Sequence, residues 1–301
     1  MKWVKSMIEN KFNPLVSVLI PTYNRPHYLQ VALDSALNQT YKNIEIIICD
    51  DSTNDDTTKM IEPYLKKYKN IKYYYNGGPL GLRGTRNSQK CLELSSGKYI
   101  NYLHDDDVFH PDKIKIMVEC ICKYENVTMV VGANEKIGWK REPILYLPVE
   151  NLVVKRKKGV DLIKSFFRRF ANVVGAPTGV LFDKKYIDRF GVFGGRQHRI
   201  LEDVAMWLVL CSKGDCIRVN NILSYRRIHG GQNAVTVDRV TDLVEWIYLV
   251  ENAYKTGLLT EEEYNAALQK WKVTFSKSIN IIKQNPKYKQ YKQEIEKFQI
   301  I

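Results

Sequence analysis

The sequence predicts an α/β fold: a mainly parallel sheet flanked by helices, with a helical extension at the C-terminal side. Three observations carry this expectation. Short apolar runs recur between residues 16 and 132, amphipathic segments of helical length separate most of them, and everything from Asp238 onward keeps helical spacing. Strands alternating with helices imply right-handed crossovers and helices on both sheet faces.

The expected strands are Val16 to Ile20, Ile44 to Cys49, Ile71 to Tyr75, Tyr99 to Leu103 and Val127 to Val131, each short, apolar and largely buried. Pro26 opens the first helix, with Leu29, Ala32, Leu33, Ala36 and Leu37 on one face. Asp55 or Asp56 caps the next, whose stripe is Met60, Ile61, Tyr64, Leu65 and Tyr68. Pro111 and Asp112 open a third, turning Ile114, Met117, Val118 and Ile121 inward. Residues 133 to 158 carry two prolines and the basic run Lys155-Arg156-Lys157-Lys158, and read as an irregular connection. A helix bearing Ile163, Phe166, Phe167 and Phe170 follows, then a strand from Thr178 to Phe182, a Gly-rich stretch from Phe190 to Gly195, and a helix from Glu202-Asp203 through Trp207 and Leu210. Thr260 with Glu263 forms a capping box ahead of a stripe of Tyr264, Leu268, Trp271 and Phe275.

At 301 residues, 45% hydrophobic and 26% charged, the chain can bury a sizeable core. It shows no run of the ~18 to 20 apolar residues that spans a bilayer and no long hydrophobic signal region after Met1, so a cytoplasmic location is expected. Six scattered cysteines lack the paired spacing of zinc modules and are expected as reduced core thiols. With 46 basic against 33 acidic residues the net charge is +13, which leaves nucleic acid, anionic lipid and phosphorylated substrates as partner classes. Lys283, Lys287, Lys289, Lys292 and Lys297 alternate with Tyr288, Tyr291, Ile295 and Phe298, reading either as the solvated face of a terminal helix or as a patch for a membrane surface or acceptor.

The most chemically loaded segment is His104-Asp105-Asp106-Asp107, directly after the strand ending at Leu103. Ligands of open α/β sheets bind at that strand end. Clustered carboxylates repel unless a cation or protons neutralise them, so the run is either a solvated turn or a site for Mg²⁺ or Mn²⁺ with a diphosphate. The Gly-rich Gly77 to Arg86 stretch lacks the Gly-Lys-Ser/Thr ending of a P-loop, which argues against a nucleoside triphosphatase.

Five segments in order, Val16 to Arg25, Ile46 to Asn54, Arg86-Asn87, the acidic tetrad, and Leu201-Glu202-Asp203 with Trp207, together with Tyr225-Arg226-Arg227-Ile228-His229, resemble the family 2 glycosyltransferases of the GT-A fold over residues 16 to 231. The resemblance implies an inverting transfer from a nucleotide-diphosphate sugar, UDP-linked, with Mn²⁺ or Mg²⁺ as cofactor. It implies nucleotide contacts at Pro21, Thr22, Tyr23, Arg25, Asp50, Asp51, Arg83, Arg86 and Asp105, with Asp51 favoured for a pyrimidine N3–H. Ordinary turn formation and capping are the competing roles for Pro21 to Tyr23 and for Asp51. Asp106 is implied as the main metal ligand and His229 as a further one. His104 departs from the family pattern of a carboxylate there and is either a ligand or a partner of its neighbours; Asp107 either caps the helix near Pro111 or supports the site.

Asp203 is implied as general base, with Glu202 either orienting the acceptor or supporting the loop; a carboxylate pair stabilising a helix N-terminus is the alternative. Arg226, Arg227 and His229 are expected to close over the diphosphate, and Trp139, Trp207 and tyrosines to stack on sugar rings. The resemblance divides the chain into a nucleotide-sugar half (1–132), an acceptor and base half of the same domain (133–237) and a helical region (238–301), the last serving packing, peripheral membrane contact or a homodimer. Expected partners are a nucleotide-diphosphate sugar and a glycan, lipid-linked or peptide acceptor at the inner face of the membrane, without nucleic acid. A nucleotidyltransferase that forms nucleotide-sugars is the enzymatic alternative, disfavoured because Pro-Thr-Tyr-Asn-Arg-Pro stands where its basic Gly-rich loop belongs. A non-catalytic membrane- or nucleic-acid-binding protein on a degenerate fold is the other, opposed by the joint presence of Asp51, Asp106 and Asp203.

Overall fold

The computed structural model of the protein describes residues 13–138, 146–230 and 239–298. Two compact units divide the chain: one gathers residues up to Lys157 with Gly175–Phe190 and Lys213–His229, and the other takes Lys158–Val174, Gly191–Ser212 and Gly230–Ile301.

The first unit is built on a nine-stranded sheet. Its strands are β1 (Val16–Thr22), β2 (Ile44–Asp50), β3 (Ile71–Tyr75), β4 (Tyr99–Tyr102), β5 (Val108–Phe109), β6 (Val127–Ile137), β7 (Val154–Lys157), β8 (Val180–Asp183) and β9 (Asp215–Arg227). They lie in the order β3-β2-β1-β4-β8-β6-β9-β5, with β7 paired to β9 off this path. β3, β2, β1 and β4 are mutually parallel, as are β6 and β9, while β8 runs against both β4 and β6, and β5 and β7 run against β9. The expected mainly parallel α/β sheet is therefore present, with reversed strands inserted in its second half.

Helices α1 (Pro26–Leu37), α2 (Asp56–Lys67), α3 (Thr85–Leu94) and α4 (Lys113–Lys123) fill the connections. Pro26 sits in the first turn of α1, and Leu29, Ala32, Leu33 and Ala36 reach full burial against Val16, Val18, Ile20, Ile46 and Ile48 of the sheet. Leu29 and Leu33 each contribute roughly 1.5–3 kcal/mol by leaving water, and the alanine methyls less. Ile114, Met117, Val118 and Ile121 of α4 enter the same core.

Several expectations need correction. Val154–Lys157 is a strand, not an irregular connection, because a strand at the sheet margin tolerates exposed Lys and Arg and so reads as a loop. β6 likewise continues past Gly132 to Ile137. The thirteen-residue β9 had no clean alternation to announce it: register shifts at Asp215/Cys216, Val219/Ile222 and Ile222/Ser224 break the period of two. β3 is an edge strand and mostly not buried. Asp55 holds the N-cap position of α2 without capping it, since its carboxylate pairs with Lys59 at 2.8 Å.

Among its described residues the second unit is helical apart from a small hairpin, Val192–Phe193 with Arg196–Gln197. Its helices are α5 (Gly159–Arg169), α6 (Glu202–Lys213), α7 (Arg239–Lys255), α8 (Glu261–Thr274), α9 (Ser276–Gln284) and α10 (Lys289–Glu296). The Thr260–Glu263 capping box forms as expected at the start of α8. Buried Trp271 donates its indole N–H to the Leu243 carbonyl of α7 at 2.9 Å. The apolar side of the basic C-terminal segment faces inward: Ile295 is buried, Tyr291 hydrogen-bonds Thr241, and Phe298 packs edge-on against Tyr248. The lysines of that segment are exposed. All six cysteines are free thiols, and all but Cys122 are buried. Among the described residues no helix is long and apolar enough to cross a membrane.

Candidate active site

The acidic tetrad is not a solvated turn. Asp105, Asp106 and Asp107 are only 6%, 6% and 1% exposed, at the C-terminal end of β4 as the sequence placed them. Such burial of three adjacent carboxylates is costly unless each has partners. Asp105 accepts a 2.8 Å hydrogen bond from the Thr22 hydroxyl at the end of β1, and the Arg25 guanidinium bridges Asp105 at 3.3 Å and Asp106 at 3.4 Å. Burial, followed by repulsion from Asp106, still pushes the Asp105 carboxyl up to about 6.

Asp106 meets His229 Nε2 at 2.9 Å through the same Oδ2 that faces Arg25. The His229 ring stacks on Tyr28 of α1 at 5.1 Å. Asp107 has a different setting. Its Oδ1 accepts the Arg227 backbone N–H at 3.0 Å and its Oδ2 accepts the Thr178 hydroxyl at 2.6 Å, tying the end of β4 to the end of β9. It caps no helix: Asp112 holds the N-cap position of α4, and its carboxylate accepts a hydrogen bond from Thr40. Half-exposed His104 lies 3.7 Å from Asp107 through Nδ1.

A second polar cluster forms at the ends of β1 and β2. Fully buried Asp50 accepts bonds from the Ser52 N–H and the Tyr73 hydroxyl. Asp51 accepts from the Asn76 amide at 2.8 Å and the Leu80 N–H at 3.1 Å, and burial raises its carboxyl above the ordinary range against those two bonds. Asn87 donates to the carbonyls of Thr22 and Cys49, joining β1 to β2 beneath this cluster. Pro21 is half-buried and Tyr23 exposed beside it. Arg83, at φ +56°, and Arg86 are both exposed, and Arg86 donates to the Leu80 carbonyl at 3.2 Å.

The Glu202-Asp203 pair opens α6 in the second unit. Asp203 Oδ2 accepts the Asn172 amide at 2.6 Å, and Asn172 is itself oriented by the Val174 N–H at 3.1 Å. Trp207 has no exposed surface, so it packs the interior and offers no face to a sugar ring. Trp139 lies outside the described residues.

The sequence profile described as glycosyl transferase family 2 matches residues 17–190, more than half of the chain. The chain belongs to glycosyl transferase family 2. An uncharacterized glycosyltransferase of Rickettsia prowazekii is 30% identical over 234 residues, covering 76% of this chain and 69% of that protein. Escherichia coli WfaP, named a UDP-Glc:alpha-D-GlcNAc-diphosphoundecaprenol beta-1,3-glucosyltransferase, is 29% identical over 241 residues, covering 76% of this chain and 83% of its own length. Among solved structures, S. aureus TarS 1–349 in complex with UDP-GlcNAc aligns with a TM-score of 0.63 at 14% identity over 92% of this chain and 78% of that one, a likeness of fold.

As a family 2 glycosyltransferase the chain is an enzyme, and neither the nucleotidyltransferase nor the non-catalytic alternative stands. The fold brings together Thr22, Arg25, Asp105, Asp106, Asp107, Arg227 and His229, the carboxylates lying 80 to 123 residues from their partners in sequence. Sequence reasoning missed Tyr28, Thr178 and Asn76, none of which carries a motif signal. It also misassigned the Arg227 side chain. At 2% exposure its guanidinium binds the carbonyls of Asp106 and Gly138 at 2.9 and 3.0 Å, bracing the tetrad instead of facing a diphosphate. Arg226 beside it is half-buried.

The donor set has the chemistry to hold a divalent cation, its carboxylates matching Mg²⁺ or Mn²⁺ and its imidazoles a softer ion. Ligand atoms of His104, Asp106 and Asp107 lie within 4.8 Å of one another, and His229 adds an imidazole nitrogen to Asp106.

Proposed function

We propose that this glycosyltransferase moves a sugar from a UDP-linked donor to a hydroxyl of a glycan, lipid-linked or peptide acceptor, with inversion at the anomeric carbon. The observation that carries the reading is the buried Asp105-Asp106 pair, held with Arg25 and His229 at the C-terminal end of β4. Support comes from the UDP-GlcNAc complex of TarS and from the UDP-glucose and diphosphoundecaprenol named for WfaP.

Asp51 takes the base edge of the nucleotide, with Pro21, Thr22, Tyr23, Asp50, Arg83 and Arg86 around it, and Asp105 takes the ribose or the metal. Asp106 and His229, with His104 and Asp107 at hand, would hold Mn²⁺ or Mg²⁺. The cation, when bound, offsets negative charge on the departing diphosphate. Asp203 removes the proton of the acceptor hydroxyl as its oxygen bonds to the anomeric carbon. The glycosidic C–O bond to the diphosphate breaks on the opposite face, and its electron pair leaves with the nucleotide. Glu202 orients the acceptor. A lipid-linked acceptor would set the reaction at the inner membrane face, where the exposed lysines at 283, 287, 289, 292 and 297 suit anionic headgroups.

Calorimetry with uridine diphosphate tests the donor site. Binding is expected with Mn²⁺ or Mg²⁺ and is expected to be lost in Asp106→Ala; no binding with either metal sinks the proposal.

A further inference from the structure

We infer that Glu245 of α7 is a positioning residue for the catalytic Glu202-Asp203 pair, so that α7 forms part of the catalytic apparatus although it lies beyond the matched residues 17–190. This inference rests on the proposed role of Asp203 as base.

The segment Gly191 to Leu201 leads directly into α6 and contains little that would fix it alone: a hairpin of two-residue strands, four residues without helix or strand, and glycines at 191, 194 and 195, all with positive φ. It is fixed from outside, by one stripe of α7. Glu245, Tyr248 and Asn252 are spaced by three and four residues and so share a helix face. Each holds a different part of the segment. The Asn252 amide donates to the Phe193 carbonyl at 3.2 Å, and the hairpin turn comes so close to Asn252 that a Cβ on Gly194 would stand 2.5 Å from its side chain. The Arg196 guanidinium lies over the Tyr248 ring at 3.4 Å.

Glu245 makes the decisive contact. Its Oε1 accepts the Arg199 N–H at 2.8 Å, while Oε2 accepts the N–H groups of Ile200 and Leu201 at 3.0 and 2.8 Å. Leu201 is the residue immediately before Glu202. A single carboxylate, 6% exposed, therefore satisfies the last three backbone donors ahead of the catalytic pair and sets where α6 begins. The nearby His198 ring, 3.8 Å from Oε2, is not its counter-ion: it has no exposed surface, and burial pushes it down to about 3, so it is neutral at any assay pH. The charge of Glu245 is met by backbone dipoles. On the other side of the segment, a Cβ on Gly191 would lie 2.6 Å from Glu202 Cβ, so the path of the chain and the place of Glu202 are locked to one another.

A carboxylate is needed because all three groups facing it are donors. Glutamine keeps one acceptor oxygen and turns an NH₂ toward N–H groups, losing either the Arg199 bond or the pair to Ile200 and Leu201. A misplacement of a base by about 1 Å costs up to roughly 100-fold in rate.

The test measures release of uridine diphosphate from UDP-glucose, UDP-GlcNAc and UDP-galactose in the full chain, with water taking the sugar and Asp203 taking the proton of that water, using whichever donor the wild type turns over fastest. Glu245→Gln is expected to lower kcat by about 10- to 100-fold while donor KM and uridine diphosphate affinity stay at the wild-type value. Glu245→Asp, which retains acceptor-only chemistry, is expected to recover part of the loss. Should Glu245→Gln fail to fold, Asn252→Ala removes one hold on the segment and is expected to lower kcat several-fold, about 3- to 10-fold, again at unchanged KM. Wild-type kcat in Glu245→Gln, or in Asn252→Ala where that variant is needed, beside an inactive Asp203→Asn control overturns the inference. Wild-type turnover in the Asp203→Asn control is a separate result and overturns the base assignment.

Discussion

Lys113 offers a prediction whose size follows from its surroundings. Its side chain has no exposed surface in the first turn of α4, with Nζ 3.0 Å from the Met117 sulfur and 5.0 Å from the centre of the Phe109 ring. Neither neighbour is a carboxylate, and burial alone pushes the ammonium from 10.5 down to about 7. Each pH unit of that difference is worth 1.36 kcal/mol, so burial costs the fold about 5 kcal/mol at low pH relative to an unburied lysine. The sign follows from proton counts. Between about 7 and 10.5 the unfolded chain holds a proton at Lys113 that the folded chain has released, so this contribution to stability rises with pH across that window and is constant below it. Lys113→Met fills similar space without a titratable group. Urea unfolding of both proteins is measured at pH 6.5, 7.5 and 8.5, and only the difference between them is read, which cancels other titrating groups. The variant is expected to be more stable at pH 6.5, by at most about 5 kcal/mol, with an advantage that shrinks by about 1 kcal/mol per unit above pH 7.5. Equal stability at every pH would refute the reasoning, because it would mean that the ammonium reaches water.

Asp203→Asn is expected to keep uridine diphosphate affinity and lose about 10²- to 10⁴-fold in turnover, as removal of a general base does, checked by steady-state kinetics beside calorimetry. Thr178→Val removes the hydroxyl that Asp107 accepts at 2.6 Å and leaves a buried carboxylate short of a partner. A loss of about 1–3 kcal/mol in urea unfolding is expected, together with weaker Mn²⁺-dependent nucleotide binding; unchanged stability would show that Asp107 needs no such support.

How much of this was legible in the sequence depends on where each residue's partners lie. The first three strands and helices α1, α2 and α4 announce themselves by local periodicity, and Pro26, Leu29, Ala32, Leu33 and Ala36 needed nothing beyond their own spacing to be placed. β7 and β9 did not. Val154–Lys157 looks polar because it lies beside β9 with its side chains largely in water, and β9 loses its alternation at bulges that exist only against β6. The same distinction governs the candidate site. The tetrad was visible as a run of charges, but whether it was surface or site turned on Thr22, Arg25, Thr178, Arg227 and His229, which reach it from β1, from the turn before α1, from the segment before β8 and from β9.

Those partners also separate the carboxylates, which identical chemistry could not. Asp107 is occupied on both oxygens by the Thr178 hydroxyl and the Arg227 N–H, groups that join strand ends, and the guanidinium of Arg227 extends the brace to the Asp106 carbonyl. Burial still raises the Asp107 carboxyl above the ordinary range. Asp106 instead faces Arg25 and His229 through one oxygen, and both partners are side chains that carry or can carry positive charge. Asp105 faces Thr22 and Arg25 and stays raised to about 6, so its environment remains short of positive charge. The Asp107 carboxyl is raised by burial as well, so a further cation would gain from every carboxylate of the run. Asp107 differs in also tying strand ends together, so Thr178→Val probes that support and Asp106→Ala probes the proposed ligand.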